Sequence, residues 1–291
     1  MALSFGGGGF SAQKSIGYMS KTKSLMDKSM ERIASGNKIL TAGDDPGGLA
    51  VSMRLKNELS TLVGAKDRVG NAKSYVEAQS TALQSVADIV SEMQTIKTNY
   101  DSTTNASEKT SYEAQFQELR GQLASLKGES LNGQRLFDRD SDLTVSTSSD
   151  GSSGSVTLSD IDLEEALQYT DADGNSADLA DLTQTITLDE GDINFDASFS
   201  NLSGVHDAVS GLVTEVVGDQ STLGFASDYL ANMTTNLEAA HGRIMDVDLA
   251  EESANYAKLS MQYEAAAAAV AQANVAMGAV LDLLLTSVNR D

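Results

Sequence analysis

Apolar residues recur at every seventh position along an early stretch of the chain. The stripe consists of Leu55, Leu62, Val69, Val76, Leu83 and Val90. A heptad repeat of this persistence predicts one long helix that packs along a coiled-coil-like seam. Asp44-Asp45-Pro46 marks its start, because a carboxylate can cap the free backbone N–H groups and proline fits the first helical position. We expect the helix to end near Tyr100.

Other parts of the chain also show helical spacing. A second helix is predicted from Tyr112 to Leu126, with Gly128 ending it. Apolar positions in residues 223–244 and 259–284 alternate steps of three and four, which predicts two more long helices. A weaker stripe near the start predicts a further helix. Apolar positions on these stripes include Ile16, Met19, Met26, Met30, Ile33, Leu230, Met233, Leu237, Ile244, Leu259, Tyr263, Val270, Met277, Val280 and Leu284.

The middle of the chain follows a period of two. Short alternating pairs separated by turn residues indicate strands there, and we expect a small, solvent-facing β-rich module. The predicted fold is therefore mainly α, with long coiled-coil-like helical hairpins or a bundle formed by the N- and C-terminal segments. The alternating pairs are Leu143 and Val145, Val156 and Leu158, Ile186 and Leu188, and Ile193 and Phe195.

The stripes near the two ends are rich in Ala, Gly and Met. An intramolecular helical bundle is the simpler interpretation of such stripes. If the two terminal helices paired only with each other, however, they would leave apolar faces in water. A subunit whose ends are covered by neighbouring subunits is the alternative. Glycines 6–9 disfavour a helix, so we expect the first helix to begin after Phe10.

The charge is distributed unevenly. The chain has 20 Lys+Arg and 42 Asp+Glu, a formal net charge of −22. Residues 138–219 carry −18 of this, residues 220–291 carry −6 and residues 1–137 carry +2. Charge therefore argues against nucleic-acid partners and anionic membranes. No apolar stretch is long enough for a membrane span, and the start lacks the pattern of a cleaved signal peptide.

Catalytic and metal-binding chemistry has little support. The chain has no Cys and two His, which excludes thiolate sites and leaves few imidazole groups. Residues 171–175 suggest a calcium loop, but the sixth and twelfth positions hold Ser176 and Leu182 instead of Gly and Glu. We interpret the segment as a solvated acidic turn. The sequence predicts no catalytic residue, no metal site and no cofactor.

Two stretches at opposite ends resemble the hallmark motifs of bacterial flagellin. Residues 31–50 resemble the N-terminal hallmark without a gap, and residues 239–274 resemble the C-terminal one. Such long matches in the right order are specific, although Pro46 stands where Ala is common. The matching residues include Glu31, Arg32, Ser35, Gly36, Asp44, Asp45, Gly48 and Leu49, and then Arg243, Ile244, Asp246, Asp248, Gln272 and Asn274.

The resemblance implies a structural subunit that polymerises into the extracellular flagellar filament for swimming motility. By this mapping, residues 1–44 and 252–291 form inner-core helices, and residues 45–137 and 206–251 form the outer-core layer. Residues 138–205 form the acidic, variable surface module. The apolar stripes then become subunit-packing positions.

The resemblance also implies partners and a route of export. Further copies of the same chain are the main partner, together with other flagellins, hook-associated and cap proteins, and a flagellar export chaperone. Nucleic acid and membrane are not expected as partners. Export is expected through the flagellar type III channel without a cleaved signal peptide.

Three alternatives remain open. The closest is the hook–filament junction protein, a relative in which Asp-Asp-Pro is also seen at this position. An acidic, calcium-binding surface adhesin on a helical stalk belongs to a different class. A hydrolase is the remotest alternative, because no nucleophile–base pair can be placed.

Overall fold

The chain is mainly helical, as predicted. The computed structural model describes residues 7–138, 141–148, 154–170, 176–183 and 195–288. The helices are α1 (Gly7–Ser35), α2 (Pro46–Ser102), α3 (Ala106–Lys127), α4 (Leu163–Ala166), α5 (Phe195–Met245) and α6 (Leu249–Val288). The strands are β1 (Ser130–Leu131), β2 (Gln134–Arg135), β3 (Leu143–Ser146), β4 (Ser155–Leu158), β5 (Gln168–Thr170) and β6 (Ser176–Asp178).

The chain divides into two compact units. The terminal unit, as we call it, contains Met1–Asn57 and Leu237–Asp291. The central unit contains Glu58–Asn236. Helices α2 and α5 contribute residues to both units. The division therefore falls within these two helices and not at the loops that precede α2 and α6.

Helix α2 confirms the prediction from the heptad stripe. It has 57 residues and begins at Pro46. The Asp45 carboxylate accepts a hydrogen bond from the Gly48 backbone N–H at 2.9 Å, which satisfies one of the free donors of the first turn. The helix ends at Ser102, two residues beyond the predicted end at Tyr100.

The caps of α3 show why this helix has its bounds. The Asn105 side chain accepts from the Ser107 N–H at 3.0 Å and donates to the Glu108 carboxylate at 3.2 Å. At the other end the Gly128 N–H donates to the Ala124 carbonyl at 3.3 Å. The predicted stop at Gly128 is confirmed, and the break before the helix places Asn105 at its N-cap.

The central unit has a hydrophobic core of its own. Five of the six heptad positions of α2 are buried in it, and Leu55 is half-buried. These side chains are enclosed within the subunit itself. The core includes Leu62, Val69, Val76, Leu83 and Val90 of α2, Phe116 and Leu123 of α3, and Val205, Val209, Val216, Leu223 and Leu230 of α5.

A tight hairpin after α3 was not predicted. Its turn residues Asn132 and Gly133 have φ of 54° and 79°, the positive values that a two-residue hairpin turn requires. The Asn-Gly pair is the sequence signal that could have revealed it. Beyond β2, the Leu136 carbonyl accepts hydrogen bonds from Tyr75 at 3.3 Å and Gln79 at 2.5 Å. Two polar side chains of α2 thereby hold the chain that leaves the hairpin.

The acidic middle segment contains the predicted β structure. Strands β3 and β4 pair antiparallel, with Leu143 opposite Leu158 and Val145 opposite Val156. Val145 and Leu158 are buried, so the module contributes to the core of the central unit and does not face only solvent. The pairs at 186–188 and 193 lie outside the described residues.

Two predictions from local sequence signals were wrong. Helix α1 begins at Gly7, although the glycines were expected to delay its start until after Phe10. The cost of glycine applies chiefly to helix interiors, and here these residues lie in the first turn. Helix α5 begins at Phe195, so this residue belongs to a helix and not to the strand that its period-two pair indicated. The helical spacing of Leu202, Val205 and Val209, which are buried, accounts for the extension.

A buried guanidinium joins the acidic module to α3. Arg120 is 1% exposed. Its Nε donates to the Leu179 carbonyl at 3.0 Å, and one terminal nitrogen donates to the Asp181 carbonyl at 2.6 Å. The other donates to the Gln117 side chain at 2.9 Å. A buried charge is tolerated when several acceptors surround it, and here these acceptors fix the segment after β6.

Lys127, at the end of α3, binds the same module. Its Nζ lies 2.7 Å from the Asp178 carboxylate and 3.0 Å from the Glu164 carboxylate. Partial burial acts to lower the Lys127 pKa, but hydrogen bonds and charges from the two carboxylates outweigh this and raise it. Further along, the Ser159 N–H donates to Asp219 of α5 at 3.2 Å. The module is therefore attached to both α3 and α5.

Replacing the buried guanidinium should destabilise the central unit. In Arg120→Met the Leu179 and Asp181 carbonyls lose their donor, and we expect a loss of about 3 kcal/mol in the free energy of unfolding. Urea unfolding followed by circular dichroism measures it. Arg135→Met is the matched control, because that guanidinium is 54% exposed and its contact with Asp138 is 4.0 Å long. Equal losses in the two variants would contradict the assignment.

Candidate functional site

The terminal unit brings the two ends of the chain together. Helices α1 and α6 pack against each other. The loops at one end of this pair come from the two hallmark stretches. The candidate site therefore consists of the α1–α6 pair and the loops that follow α1 and precede α6.

Backbone hydrogen bonds connect the two loops. The Lys38 N–H donates to the Met245 carbonyl at 2.5 Å, and the Val247 N–H donates to the Gly36 carbonyl at 2.9 Å. Asn37 and Asp246 form an isolated antiparallel bridge between them. We call residues 36–45 and 245–248 the loop junction.

Gly36 is required for the conformation of the loop junction. Its φ is +72°, in the left-handed region where a side chain is strained. Its N–H donates to the Arg32 carbonyl at 2.9 Å, which ends α1. The same residue thus stops the helix and offers its carbonyl to the opposite loop.

Asp44 organises the loop before α2. Its carboxylate accepts from the Leu40 and Thr41 N–H groups, both at 3.1 Å, and also binds the Lys28 ammonium. The side chain is 4% exposed. The Lys28 hydrogen bond, followed by those of the two backbone amides, lowers the Asp44 pKa from 3.8 to about 2. The negative charge of Asp44 is therefore part of the folded loop.

Gly48 is held closely by its neighbours. A Cβ at this position would collide with the Asp45 carboxylate and lie 2.8 Å from the Ile39 side chain, which is buried. At Gly47 the nearest atom, in Asp45, would be 3.5 Å away, an ordinary contact. A side chain at the second of these positions would therefore force Asp45 and Ile39 to shift, whereas one at the first would not.

Glu252 connects α6 to α1 although it was not predicted as a site residue. It is buried, and its carboxylate lies 3.9 Å from Arg32. The buried Ser29 hydroxyl donates to the Glu252 carbonyl at 3.4 Å. Lys28 and Ser29 precede the N-terminal hallmark stretch, whereas Glu252 lies within the C-terminal one. Ser29 and Glu252 are 223 residues apart in the sequence. A contact between such distant residues cannot be predicted from local residue spacing.

The structure places the other hallmark residues in different settings. Asp248 caps α6, since its carboxylate accepts from the Ala250 and Glu251 N–H groups at 2.9 and 3.1 Å. Leu49 and Ile244 are half-buried beside the loop junction. Other hallmark side chains are exposed on the helices and lie outside the junction, namely Glu31 and Ser35 of α1, Arg243 of α5, and Gln272 and Asn274 of α6.

The apolar stripes of the terminal unit are not buried within the chain. Its buried hydrophobic residues are Ile39 and Leu259 among the described positions, whereas the central unit has a long core. Met19, Met26, Ile33, Leu237, Ile244, Tyr263 and Val270 are half-buried. Met233 is half-buried in the central unit. The described residues do not include the side chains of Val280 and Leu284.

Large exposed side chains are concentrated in the same unit. Ile16 is 44% exposed, Met30 52% and Met277 39%. Exposed apolar side chains that gather in one part of a folded chain make that part a candidate interaction site. The exposed set in the terminal unit is Ile16, Tyr18, Leu25, Met30, Val51, Met53, Leu249, Met261, Val275 and Met277.

The described residues show no other site chemistry. No group of His, Cys, Asp or Glu among them could hold a metal ion. The segment at 171–175 that resembles a calcium loop lies outside the described part of the chain. No helix in the described ranges is long and apolar enough to cross a membrane.

Comparisons with known proteins match both ends of the chain. Residues 10–142 match the model for the bacterial flagellin N-terminal helical region, and residues 207–284 match that for the C-terminal helical region. The chain is 27% identical to a Bacillus subtilis (strain 168) flagellin, over 94% of this chain and 97% of that protein. It is 29% identical to a Halalkalibacterium halodurans flagellin, over 88% of this chain and 91% of the other.

A solved structure has a similar fold. It is described as a flagellar hook-associated protein from Vibrio parahaemolyticus and has a TM-score of 0.59 at 16% identity. The similarity covers 70% of this chain and 100% of that one. At this identity the similarity supports the helical fold alone.

The two adjacent glycines of α2 give a matched test of the loop junction. Gly48→Ala should weaken it by about 1–3 kcal/mol, because the methyl group collides with Asp45 and Ile39. Gly47→Ala should leave it unchanged or slightly more stable, since alanine favours helix. Amide hydrogen exchange at Lys38 and Val247 measures the opening free energy. Equal exchange in the two variants would show that the close packing has no energetic effect.

The lowered Asp44 pKa predicts a pH-dependent contribution to stability. A carboxylate whose folded pKa is depressed stabilises the fold above its unfolded pKa, and this is lost as the pH falls through the folded value. The wild-type chain should therefore have a higher melting temperature than Asp44→Asn at pH 5 to 7. This difference in melting temperature should disappear as the pH falls from about 4 to about 2. Thermal unfolding of unpolymerised chains measures this. Asp27→Asn, at an exposed pair, should show little difference at any pH.

Proposed function

The chain belongs to the bacterial flagellin family and is a structural subunit of the flagellar filament, and we propose that its terminal unit is the surface through which subunits assemble. The observation that supports this is the contrast between the two units. The central unit buries its apolar stripes within the chain, whereas the terminal unit leaves Ile16, Met30 and Met277 exposed. Burying such side chains against identical neighbours removes apolar area from water and stabilises the polymer.

Not all of the predicted packing positions fit this proposal equally. Leu259 of α6 is buried, but the other stripe residues of α1 and α6 whose side chains are described are half-buried or exposed, so they remain available to neighbours. The α2 stripe from Leu62 to Val90 is already buried and supports the subunit from inside. We therefore assign assembly to the terminal helices and internal support to the central part of α2. Val51 and Met53, exposed at the start of α2, join the assembly surface.

The layers expected from the family are proposed with one adjustment. Residues 1–44 and 252–291 would form the inner core, 45–137 and 206–251 the outer core, and 138–205 the surface module. Residues 46–57 and 237–245 belong to the terminal unit, which supports an adjustment at the layer boundary. We propose that these helix ends belong to the inner layer in this chain, and not to the outer layer that the family mapping gives them.

Partners and export complete the proposal. Self-assembly is the family's property, and we propose contacts with other flagellins, hook-associated and cap proteins, and an export chaperone. Export through the flagellar type III channel without removal of a leader is proposed on the same basis. The chain would serve a structural role with no catalytic activity.

A truncation tests the assembly surface. Deleting residues 252–291 removes most of α6 and should leave a soluble, partly folded monomer that forms no filaments. Electron microscopy and sedimentation compare it with the full chain, which should form long filaments. Retained helicity and cooperative unfolding would show that the central unit persists. Filaments formed by the truncated chain would contradict the assignment of α6.

A further inference from the structure

Methionine is concentrated in the terminal unit. Eight of the ten methionines lie there, although this unit has fewer residues than the central unit. Among those that the structure describes, four have well-exposed side chains: Met30 at 52%, Met53 at 65%, Met261 at 64% and Met277 at 39%. By contrast, Met93 in the central unit is fully buried. Exposed thioethers therefore lie on the face that the proposed function assigns to assembly.

The chemistry of methionine makes this placement significant. A thioether is apolar and adapts to irregular partner surfaces, so it suits a contact between subunits. It is also the side chain on this surface that a hydroperoxide oxidises readily, because the chain has no cysteine. Oxidation gives a sulfoxide, a polar group with a strong hydrogen-bond acceptor. The same four residues can therefore favour or oppose apolar packing according to their oxidation state.

We propose that Met30, Met53, Met261 and Met277 form an oxidation-sensitive switch, in which sulfoxide formation on the free subunit blocks its assembly. This inference rests on the proposed function of the terminal unit. In the reaction, a sulfur lone pair attacks one oxygen of hydrogen peroxide and the O–O bond breaks. After proton transfer, water leaves and the S–O bond remains. Sulfur loses two electrons, and the peroxide is reduced to water.

The consequence for assembly follows from desolvation. In the free subunit the sulfoxide oxygen is hydrogen-bonded to water, so the monomer tolerates it. Assembly would place that oxygen against apolar side chains and remove its water without supplying a donor. We expect each interfacial sulfoxide to raise the subunit concentration required for polymerisation by roughly tenfold. Assembled filaments should resist the reagent at these positions, because neighbouring subunits cover the sulfurs.

The test uses the purified full-length chain and hydrogen peroxide. Monomers are treated briefly, peptide mass spectrometry locates added oxygen, and filament fragments are then supplied as seeds. The subunit concentration left in solution after sedimentation reports the assembly equilibrium. We expect oxygen at the four exposed methionines and none at Met93. We also expect a rise in residual soluble subunit of at least roughly tenfold.

Two sets of variants serve as controls. Leucine has a similar volume and helix propensity but cannot be oxidised, so M30L/M53L/M261L/M277L should assemble equally well with and without peroxide. M30Q/M261Q carries a polar amide in place of the thioether and should assemble poorly without any peroxide. Circular dichroism of each monomer checks that helicity is unchanged. Peroxide-sensitive assembly of the leucine variant would overturn the assignment to these four residues.

Reversal provides a test that needs no variant. Methionine sulfoxide reductases of both epimer specificities, supplied with a dithiol, return the sulfoxide to thioether, with water and a disulfide as products. Oxidised wild-type monomer should recover its assembly after this treatment. Normal assembly of monomer that carries the four sulfoxides would overturn the proposal. So would oxidation of these sulfurs in filaments as fast as in monomers.

Failure of this inference is distinguishable from failure of the proposed function. If untreated wild-type chain forms no filaments, the proposed function is wrong and the inference falls with it. If untreated chain polymerises and oxidised chain does so equally, only the inference is wrong. The peroxide-treated filament then still reports which methionines the polymer covers.

Discussion

The structure depends on an unequal burial of apolar surface. In the central unit, α2, α3 and α5 enclose their own stripes, and side chains such as Val69, Leu83 and Phe116 are fully buried. The terminal unit has no comparable core among its described residues, and its long helices keep large side chains in water. Because apolar burial is the main favourable force in folding and association, this contrast supports the proposal that the chain folds around the central unit and associates through the terminal one.

The loop junction gives the exposed helices a defined geometry. A long helix with few buried contacts would be marginal if its ends were unrestrained. Here Gly36 ends α1, Asp248 caps α6, and backbone hydrogen bonds join the two loops. In the same region the Asp44 carboxylate accepts hydrogen bonds from two backbone amides and from the Lys28 ammonium. The polar residues of the hallmark stretches therefore have a structural role that their exposure alone would not suggest.

Helix ends could be predicted where interactions between residues close in sequence determine them. Pro46, Asn105 and Gly128 act at the helix ends through capping, which involves neighbours in sequence. The β3–β4 pairing also followed from its alternation. The hairpin at Asn132-Gly133 was missed although its turn signal was present. The start of α5 at Phe195 was missed because a period-two pair suggested a strand, and tertiary burial of Val205 and Val209 favours the helix instead.

Sequence by itself determined the helical stripes, the acidic module and the two hallmark stretches, since periodicity, charge and motif spacing depend on residues close together in the chain. Only the tertiary structure decided which stripe is enclosed and which remains exposed. Leu62 and Ile16 both lie on helical stripes, yet one is 4% exposed and the other 44%. Likewise, Arg120 and Glu252 carry charges whose burial no local spacing reveals, because their partners come from distant parts of the chain.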